Sequence, residues 1–369
     1  MANKEQLAWI STWLPERPDF NFRSLLAERA SLSAEERTKI EVERLGLESE
    51  IEETPELLEN SFASLEEALD DIEHKEAYET ALFINPTHVT SDEMRLAFLR
   101  VERYDAAKAA KRMVHYWERK VEVFGYDRAF HNYVSIFDLQ EQDYPALLKG
   151  GVCALPLHYH DGAGRGIFFE NLAWFTGDVD SMIRIMWYNV HAAIFDPEDG
   201  HLVQKLGLVV VTTNGHTNQI HPFPNFKEFE RYNNLSTMDS STALPVLPAS
   251  WFLFLTPVSN IFLNVMYHVL ERALGSIGRH YRMRLTAFNT LEVDKNMATL
   301  DSCGIPKYSM PTEVGGSLAL NAKRIAYERI IEDLFVAGVD CVEDDTWREE
   351  VPANIVRLID TLQNSIDEA

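Results

Sequence analysis

The stretch Asp161-Gly-Ala-Gly-Arg-Gly-Ile-Phe-Phe-Glu-Asn-Leu-Ala-Trp-Phe175 changes the chain from a helical to a strand-like pattern. Its first six residues are typical of a tight turn, and the β-branched and aromatic residues from Ile167 onward predict a strand. A phosphate-binding loop follows a strand and opens a helix, whereas here a strand follows the glycines. The stretch therefore predicts a hairpin turn and not a nucleotide site.

Strands and helices alternate after this turn. Apolar residues at helical spacing predict a helix over 179–194, and the run Leu208-Val-Val-Val-Thr-Thr213 predicts a buried strand. Further along, a helix is predicted around 225–232, a strand over 251–255 after a loop, and a last strand over 283–288. Buried strands that alternate with helices are typical of an α/β domain. We therefore expect a mainly parallel sheet flanked by helices.

Residues 1–90 are predicted to form an acidic helical leader. Between Glu35 and Glu79 there are seventeen Asp and Glu against four Lys and Arg. Such runs are typical of solvated helix faces or disordered segments, and a docking surface for a partner is the alternative interpretation.

A helical lobe is predicted over 91–150, with Asp105 as the cap of its second helix and Gly125 at the end of that helix. Eight Lys and Arg stand against three acids between Arg95 and Lys120. The lobe is interpreted as a solvated amphipathic hairpin, with a membrane-binding surface as the alternative. The α/β domain is expected over 151–318, and a helical extension over 319–369.

Composition excludes some classes of function. The chain has 58 Asp and Glu against 34 Lys and Arg, a formal net charge of -24, and nucleic-acid binding needs the opposite balance. Three cysteines far apart in sequence predict neither a disulfide framework nor a zinc site. The first fourteen residues lack the basic region and apolar core of a signal peptide, so we expect a cytoplasmic protein.

Few residues indicate catalysis. His158 and His160, with Asp161 beside them, would seat a metal only if a third ligand approached, and the alternative is a pair of strand-end histidines. The chain contains neither HExxH nor GxSxG. We expect no enzyme activity, no catalytic residue, no cofactor and no metal, and scattered histidines are interpreted as structural.

The stretch from Ala243 to Leu270 contains no Lys, Arg, Asp or Glu, and Arg272–Arg284, which follow Glu271, hold four Arg and no acid. Three prolines in the apolar stretch argue against a membrane span. Its second part predicts a helix over 259–274 that is apolar nearly all round. Such a helix is either buried on every side or faces an apolar ligand or lipid.

Three motifs follow one another along the chain. Phe98-Leu-Arg-Val-Glu-Arg-Tyr-Asp-Ala-Ala-Lys-Ala109 and Asp161-Gly-Ala-Gly-Arg165 are the first two. They resemble the signature of the N-terminal helical lobe and the first sheet motif of the CRAL-TRIO lipid-binding family. Met310-Pro-Thr-Glu-Val-Gly-Gly-Ser-Leu318 is similar to its closing motif, in which paired glycines adopt positive φ. The resemblance covers about residues 91–318.

The resemblance implies a hydrophobic cavity that has the sheet as its floor and a gate helix, here 259–274, as its lid. One hydrophobic lipid would be taken from a bilayer into this cavity. The residues expected to line or cover it are Phe168, Val209, Val211, Phe252, Phe254, Phe262, Val265, Met266 and Val269. The arginines expected to contact an anionic membrane transiently are Arg272, Arg279, Arg282 and Arg284.

The chain departs from the family members that transfer phosphoinositides. Val246 and Leu247 stand where those members have Glu and Arg, and His268 lies near the position of a gate-helix lysine. The resemblance therefore does not imply an inositol phospholipid as the cargo. The alternative function is a cargo-free scaffold for protein interactions on the same fold.

Overall fold

The computed structural model describes residues 21–47, 51–149, 152–154, 160–171, 178–213, 225–236, 244–255, 271, 274–275, 279–289, 291–339 and 347–367. These residues combine helices with one five-stranded sheet. The expected α/β class is confirmed at this level.

The sheet has its strands in the order of the chain. They are β1 (Val152–Ala154), β2 (Gly166–Asn171), β3 (Leu208–Thr213), β4 (Pro248–Leu255) and β5 (Leu285–Asn289). β1 pairs with β2 in the antiparallel direction, and β2 through β5 are parallel. The predicted, mainly parallel sheet is therefore confirmed, and β3 has the predicted bounds.

Two predicted strand boundaries are wrong. β4 begins at Pro248 instead of after a loop that extends to Ser250; a proline is tolerated at the first position of a strand because no ladder donor is lost there. β5 begins at Leu285 and not at Met283, because the preceding residues belong to the short helix Arg279–Arg284.

The helices before the sheet include both helices of the predicted lobe. Their bounds are α1 (Phe22–Ala30), α2 (Ala34–Arg44), α3 (Pro55–Asp70), α4 (Glu76–Ile84), α5 (Pro86–Val89), α6 (Asp92–Val101), α7 (Ala106–Phe124), α8 (Tyr126–Ala129) and α9 (Tyr144–Lys149). Asp105 caps α7, since its side chain accepts a hydrogen bond from the Lys108 N–H at 3.1 Å. α7 ends at Gly125, whose φ is 77°.

The helices after β2 follow the predicted alternation. Their bounds are α10 (Val179–Ile194), α11 (Gly200–Leu206), α12 (Phe226–Ser236), α13 (Arg279–Arg284), α14 (Val293–Ser302), α15 (Ala322–Val336), α16 (Trp347–Glu350) and α17 (Ala353–Asp367). α10 has the predicted bounds. It packs against α7, α9 and α12, while α15 packs against α17 and α9.

The two faces of the sheet bury different sets of side chains. We call one the α14 face, because its residues pack with Met297 and Leu300 of α14 and with Ile305, Met310 and Val314. We call the other the α10 face, because its residues belong to the core that includes α7 and α10. Side chains of the α14 face are Ile167, Phe169, Val209, Val211, Phe252, Phe254 and Phe288. Side chains of the α10 face include Phe168, Leu208, Val210, Leu253 and Leu285.

The segment that resembles the closing motif needs both of its glycines. Gly315 has a φ of 95°, in the left-handed region that glycine adopts without strain. A Cβ on Gly316 would lie 1.8 Å from the Met310 carbonyl oxygen, so no larger residue fits there. The two glycines let the chain fold back on Met310 beside the α14 face.

The described part of the leader packs on the sheet and on the helical lobe. α2 contacts β4, and α3 packs along α7. The buried Arg165 joins the end of α2 to the turn before β2, because it donates hydrogen bonds to the carbonyl oxygens of Glu43 at 2.6 Å and Arg44 at 3.0 Å. Across the residues described, none of the helices has the length and apolarity needed to cross a membrane.

Candidate functional site

The carboxyl ends of β2, β3 and β4 bring a group of polar side chains together on the α10 face. Glu170, Thr212 and Leu253 lie side by side in the parallel register. In open α/β sheets, ligands bind at this edge at the point where the strand order reverses. Here the strands keep the order of the chain, so the polar side chains, and not a crevice, make this edge the candidate site.

Glu170 is the centre of this group. The Thr212 hydroxyl donates a hydrogen bond to its Oε2 at 2.8 Å, and the Tyr232 hydroxyl lies 3.5 Å from its Oε1. The Trp251 indole in turn donates to the Thr212 hydroxyl oxygen at 2.8 Å. The group presents a carboxyl, two hydroxyls and an aromatic ring in an otherwise apolar layer.

Burial controls the charge of Glu170. Desolvation raises the pKa of this carboxyl to about 7, while the hydrogen bonds from Thr212 and Tyr232 act in the opposite direction. At neutral pH both protonation states of the carboxyl are therefore accessible. The neutral form can donate a hydrogen bond, and the ionised form can only accept one.

The α10 face becomes more open toward β5. Phe168 and Val210 are buried, Trp251 is partly exposed, and Ala287, which lies beside Leu253 in the register, is exposed. The next residue of β5, Phe288, lies on the α14 face and is buried. Ala287 lies on the edge strand β5, and we call the exposed part of the α10 face around it the opening.

The predicted lining residues do not share one face. Val209, Val211, Phe252 and Phe254 are on the α14 face, where they are packed by α14 and the closing segment. Phe168 is on the opposite, α10 face. The structure therefore brings four of these five side chains together, and the fifth lies across the sheet from them.

The other predicted cavity residues, Phe262, Val265, Met266 and Val269, lie outside the described residues, as does Arg272. The gate helix predicted over 259–274 also lies outside them, apart from residues 271 and 274. These expectations stay predictions.

Three predicted membrane-contact arginines are described, and each meets a glutamate of the leader. Arg282 donates to Glu28 at 2.9 and 2.7 Å, and its side chain is largely buried. Arg284 is buried and paired with Glu43, and burial lowers its pKa to about 10. Arg279 has 52% of its side chain exposed and lies 3.7 Å from Glu36. Of the three, Arg279 is the one whose side chain is open to a membrane.

His160 and Asp161 of the HxHD cluster contact different partners. His158 lies outside the described residues, while His160 Nε2 lies 3.9 Å from Asp199 Oδ2. Asp161 accepts hydrogen bonds from the backbone of Ala163 and Arg165 and from the Arg165 side chain. Within the described ranges no group of three His, Cys, Asp or Glu is placed to hold a metal ion.

Sequence reasoning did not select Glu170, Thr212 or Trp251 as site residues. A signal for Glu170 was available, since it is a lone acid inside an apolar strand pattern, and such an acid is rarely buried without a role or a partner. No comparable signal marks Trp251, whose bond to Thr212 depends on the pairing of two strands.

The comparisons with known proteins add no identification. No family model matches the chain, and no curated protein matches it.

Proposed function

We propose that this protein binds one apolar or amphipathic lipid without a covalent bond and presents or exchanges it at membranes. The observation that carries the proposal is the opening on the α10 face at Ala287, which lies in one row of the sheet with Leu253, Thr212 and the buried Glu170. The three motifs that resemble the CRAL-TRIO family and the helix-flanked parallel sheet support the same function.

The chemistry of this region suits an amphipathic ligand. Trp251 and Ala287 offer apolar surface, and each large side chain buried against a ligand contributes about 1.5 to 3 kcal/mol before the costs of binding. Glu170 and Thr212 would hydrogen-bond a hydroxyl or amino group at the polar end of the lipid. The gate helix over 259–274 and the transient contact with anionic membrane are parts of the proposal.

Native mass spectrometry of the gently purified protein, with extraction of any bound lipid, tests the proposal directly. We expect one lipid per chain, or uptake of one from liposomes. Ala287→Trp should fill the opening and prevent uptake while the thermal unfolding midpoint stays unchanged, and Ala287→Ser should leave uptake intact. Absence of lipid and of uptake in the wild type, or normal uptake by Ala287→Trp, contradicts the proposal.

The second candidate function is a cargo-free scaffold, and a specific packing observation favours it. Val209, Val211, Phe252 and Phe254 are covered by the chain's own α14 and closing segment. A scaffold of this fold would bind no lipid. Its Ala287→Trp variant would still bind every protein partner that the wild type binds. The liposome experiment therefore separates the two functions.

A further inference from the structure

A large acidic cleft lies away from the carboxyl edge of the sheet. It has a volume of about 1620 Å³ and lies between the lobe residues 85–138, the end of α10 and the outer part of α15. Small-molecule pockets usually have about 300 to 1,000 Å³, so this cleft has room for a longer occupant.

The lining of the cleft is strongly negative. It contains nine Asp and Glu against two Arg. The acids come from all three walls and are Glu93, Asp127, Asp138, Asp196, Glu198, Asp199, Glu328, Glu332 and Asp333. Low-dielectric walls that carry one sign of charge concentrate the potential inside a cleft and attract ligands of the opposite sign.

Aromatic and apolar groups accompany the acids. The rings of Tyr133 and Phe195 stack with their centroids 4.1 Å apart inside the cleft. At its rim, Phe335 and Val336 at the end of α15 are 73% and 76% exposed. Exposed apolar side chains next to a charged groove are typical of sites that bind another protein, and guanidinium groups stack well on aromatic rings.

The wall also holds a buried polar atom without a partner. His88 is 9% exposed, lines the cleft, and lies edge-on to Tyr133 at 4.6 Å. Its Nε2 has no hydrogen-bond partner among the residues that the structure describes. A buried polar atom of this kind is normally satisfied, and an occupant of the cleft could supply the missing bond.

We propose that this cleft binds a basic peptide segment of a partner protein that carries arginine or lysine beside apolar anchor residues. Charge complementarity argues for this occupant and against the chain itself. The two longest stretches outside the described residues are 1–20 and 256–270. The first has two Lys and Arg against three acids, and the second has no Lys, Arg, Asp or Glu. A second copy of the chain carries a net charge of -24 and would be repelled. The inference does not depend on lipid binding.

The experiment measures binding of a labelled synthetic peptide, in which arginine alternates with leucine and tryptophan, to the full-length protein by fluorescence anisotropy. A peptide with glutamate in place of arginine is the control ligand and should not bind. Glu198→Lys reverses an exposed charge in the cleft and should weaken binding roughly fivefold, the equivalent of one exposed ion pair. Glu59→Lys reverses an exposed charge on α3, outside the cleft lining, and is the matched control.

Phe335→Ser tests the apolar part and should weaken binding by a factor that changes little with salt, whereas the effect of Glu198→Lys should shrink as salt is raised. Equal losses in Glu198→Lys and Glu59→Lys would show attraction by net charge alone and would overturn the proposal. Sedimentation of the free protein gives a further check. Self-association that Glu198→Lys abolishes would identify a second copy as the occupant and would also overturn it.

Discussion

Glu170 is the one acid in β2, and its environment explains why a carboxyl is tolerated there. It points into the apolar α10 face and keeps hydrogen bonds from Thr212 and Tyr232. Burial without a cationic partner favours the neutral acid. The result is a group in the interior that titrates close to physiological pH.

The pKa of Glu170 predicts how stability changes with pH. The folded state raises this pKa from 4.5 to about 7, so the folded protein holds the proton more tightly than the unfolded chain does. The stabilising contribution of the neutral carboxyl is fully present below about pH 4.5 and is lost as the pH rises to about 7.

Glu170→Gln keeps the size of the side chain and removes its titration. We expect the free energy of unfolding of the wild type to fall by roughly 3 kcal/mol relative to Glu170→Gln across this pH window. Urea denaturation at a series of pH values measures the difference. Parallel curves for wild type and Glu170→Gln would contradict the assigned pKa.

The elements differ in how far their own residues determine their ends. α10 begins after Asp178, whose side chain accepts a hydrogen bond from the Ser181 N–H at 2.7 Å, and this cap explains why its predicted bounds are confirmed. The boundary between α13 and β5 carries no such cap signal. Its sequence, in which Met283 and Leu285 alternate with Arg282 and Arg284, fits the end of a helix or the start of a strand.

The Arg165 side chain joins α2 to the turn before β2, so its removal is expected to lower the stability of the fold strongly. Arg165→Met leaves Asp161 buried without its cation and removes the bonds to the carbonyl oxygens of Glu43 and Arg44. We expect it to lower the free energy of unfolding by about 3 to 5 kcal/mol. Urea denaturation measures this value.

The matched control for Arg165→Met is an exposed ion pair. Arg324 pairs with Glu328 on the surface of α15, where its side chain is 67% exposed, so Arg324→Met should lower the free energy of unfolding far less than Arg165→Met. Similar losses in the two variants would show that Arg165 does not hold α2 to the sheet.

The molecule as a whole places its acidic leader against the cationic segment after the apolar stretch. Glu28, Glu36 and Glu43 meet Arg282, Arg279 and Arg284 in turn. Two of the four arginines proposed for membrane contact, Arg282 and Arg284, are thus neutralised inside the protein. Any contact of this conformation with an anionic bilayer through these residues falls mainly on Arg279.

Because Arg279 is exposed and Arg284 is buried, we expect their substitutions to affect different properties of the protein. Arg279→Gln should weaken binding to vesicles that contain phosphatidylserine by about 1 kcal/mol and leave the thermal unfolding midpoint unchanged. Arg284→Gln should lower the midpoint, because it removes the buried guanidinium from its pair with the partly buried Glu43 and leaves that carboxylate, among the described residues, only Lys39, at 3.9 Å. Vesicle sedimentation and calorimetry measure the two quantities. A loss of vesicle binding in Arg284→Gln at full stability would reverse the assignment.

Local signals in the chain were enough to predict the α/β class, the parallel strands, the turn at Asp161 and the helix α10. Alternating and helical periodicities act within one element, so they can be read without knowledge of its neighbours. The separation of Phe168 from Val209, the grouping of Glu170 with Thr212, and the pairing of Arg284 with Glu43 could not be predicted in this way. Each depends on strand register or on contact between residues far apart in the chain, and these arise only when the elements pack together.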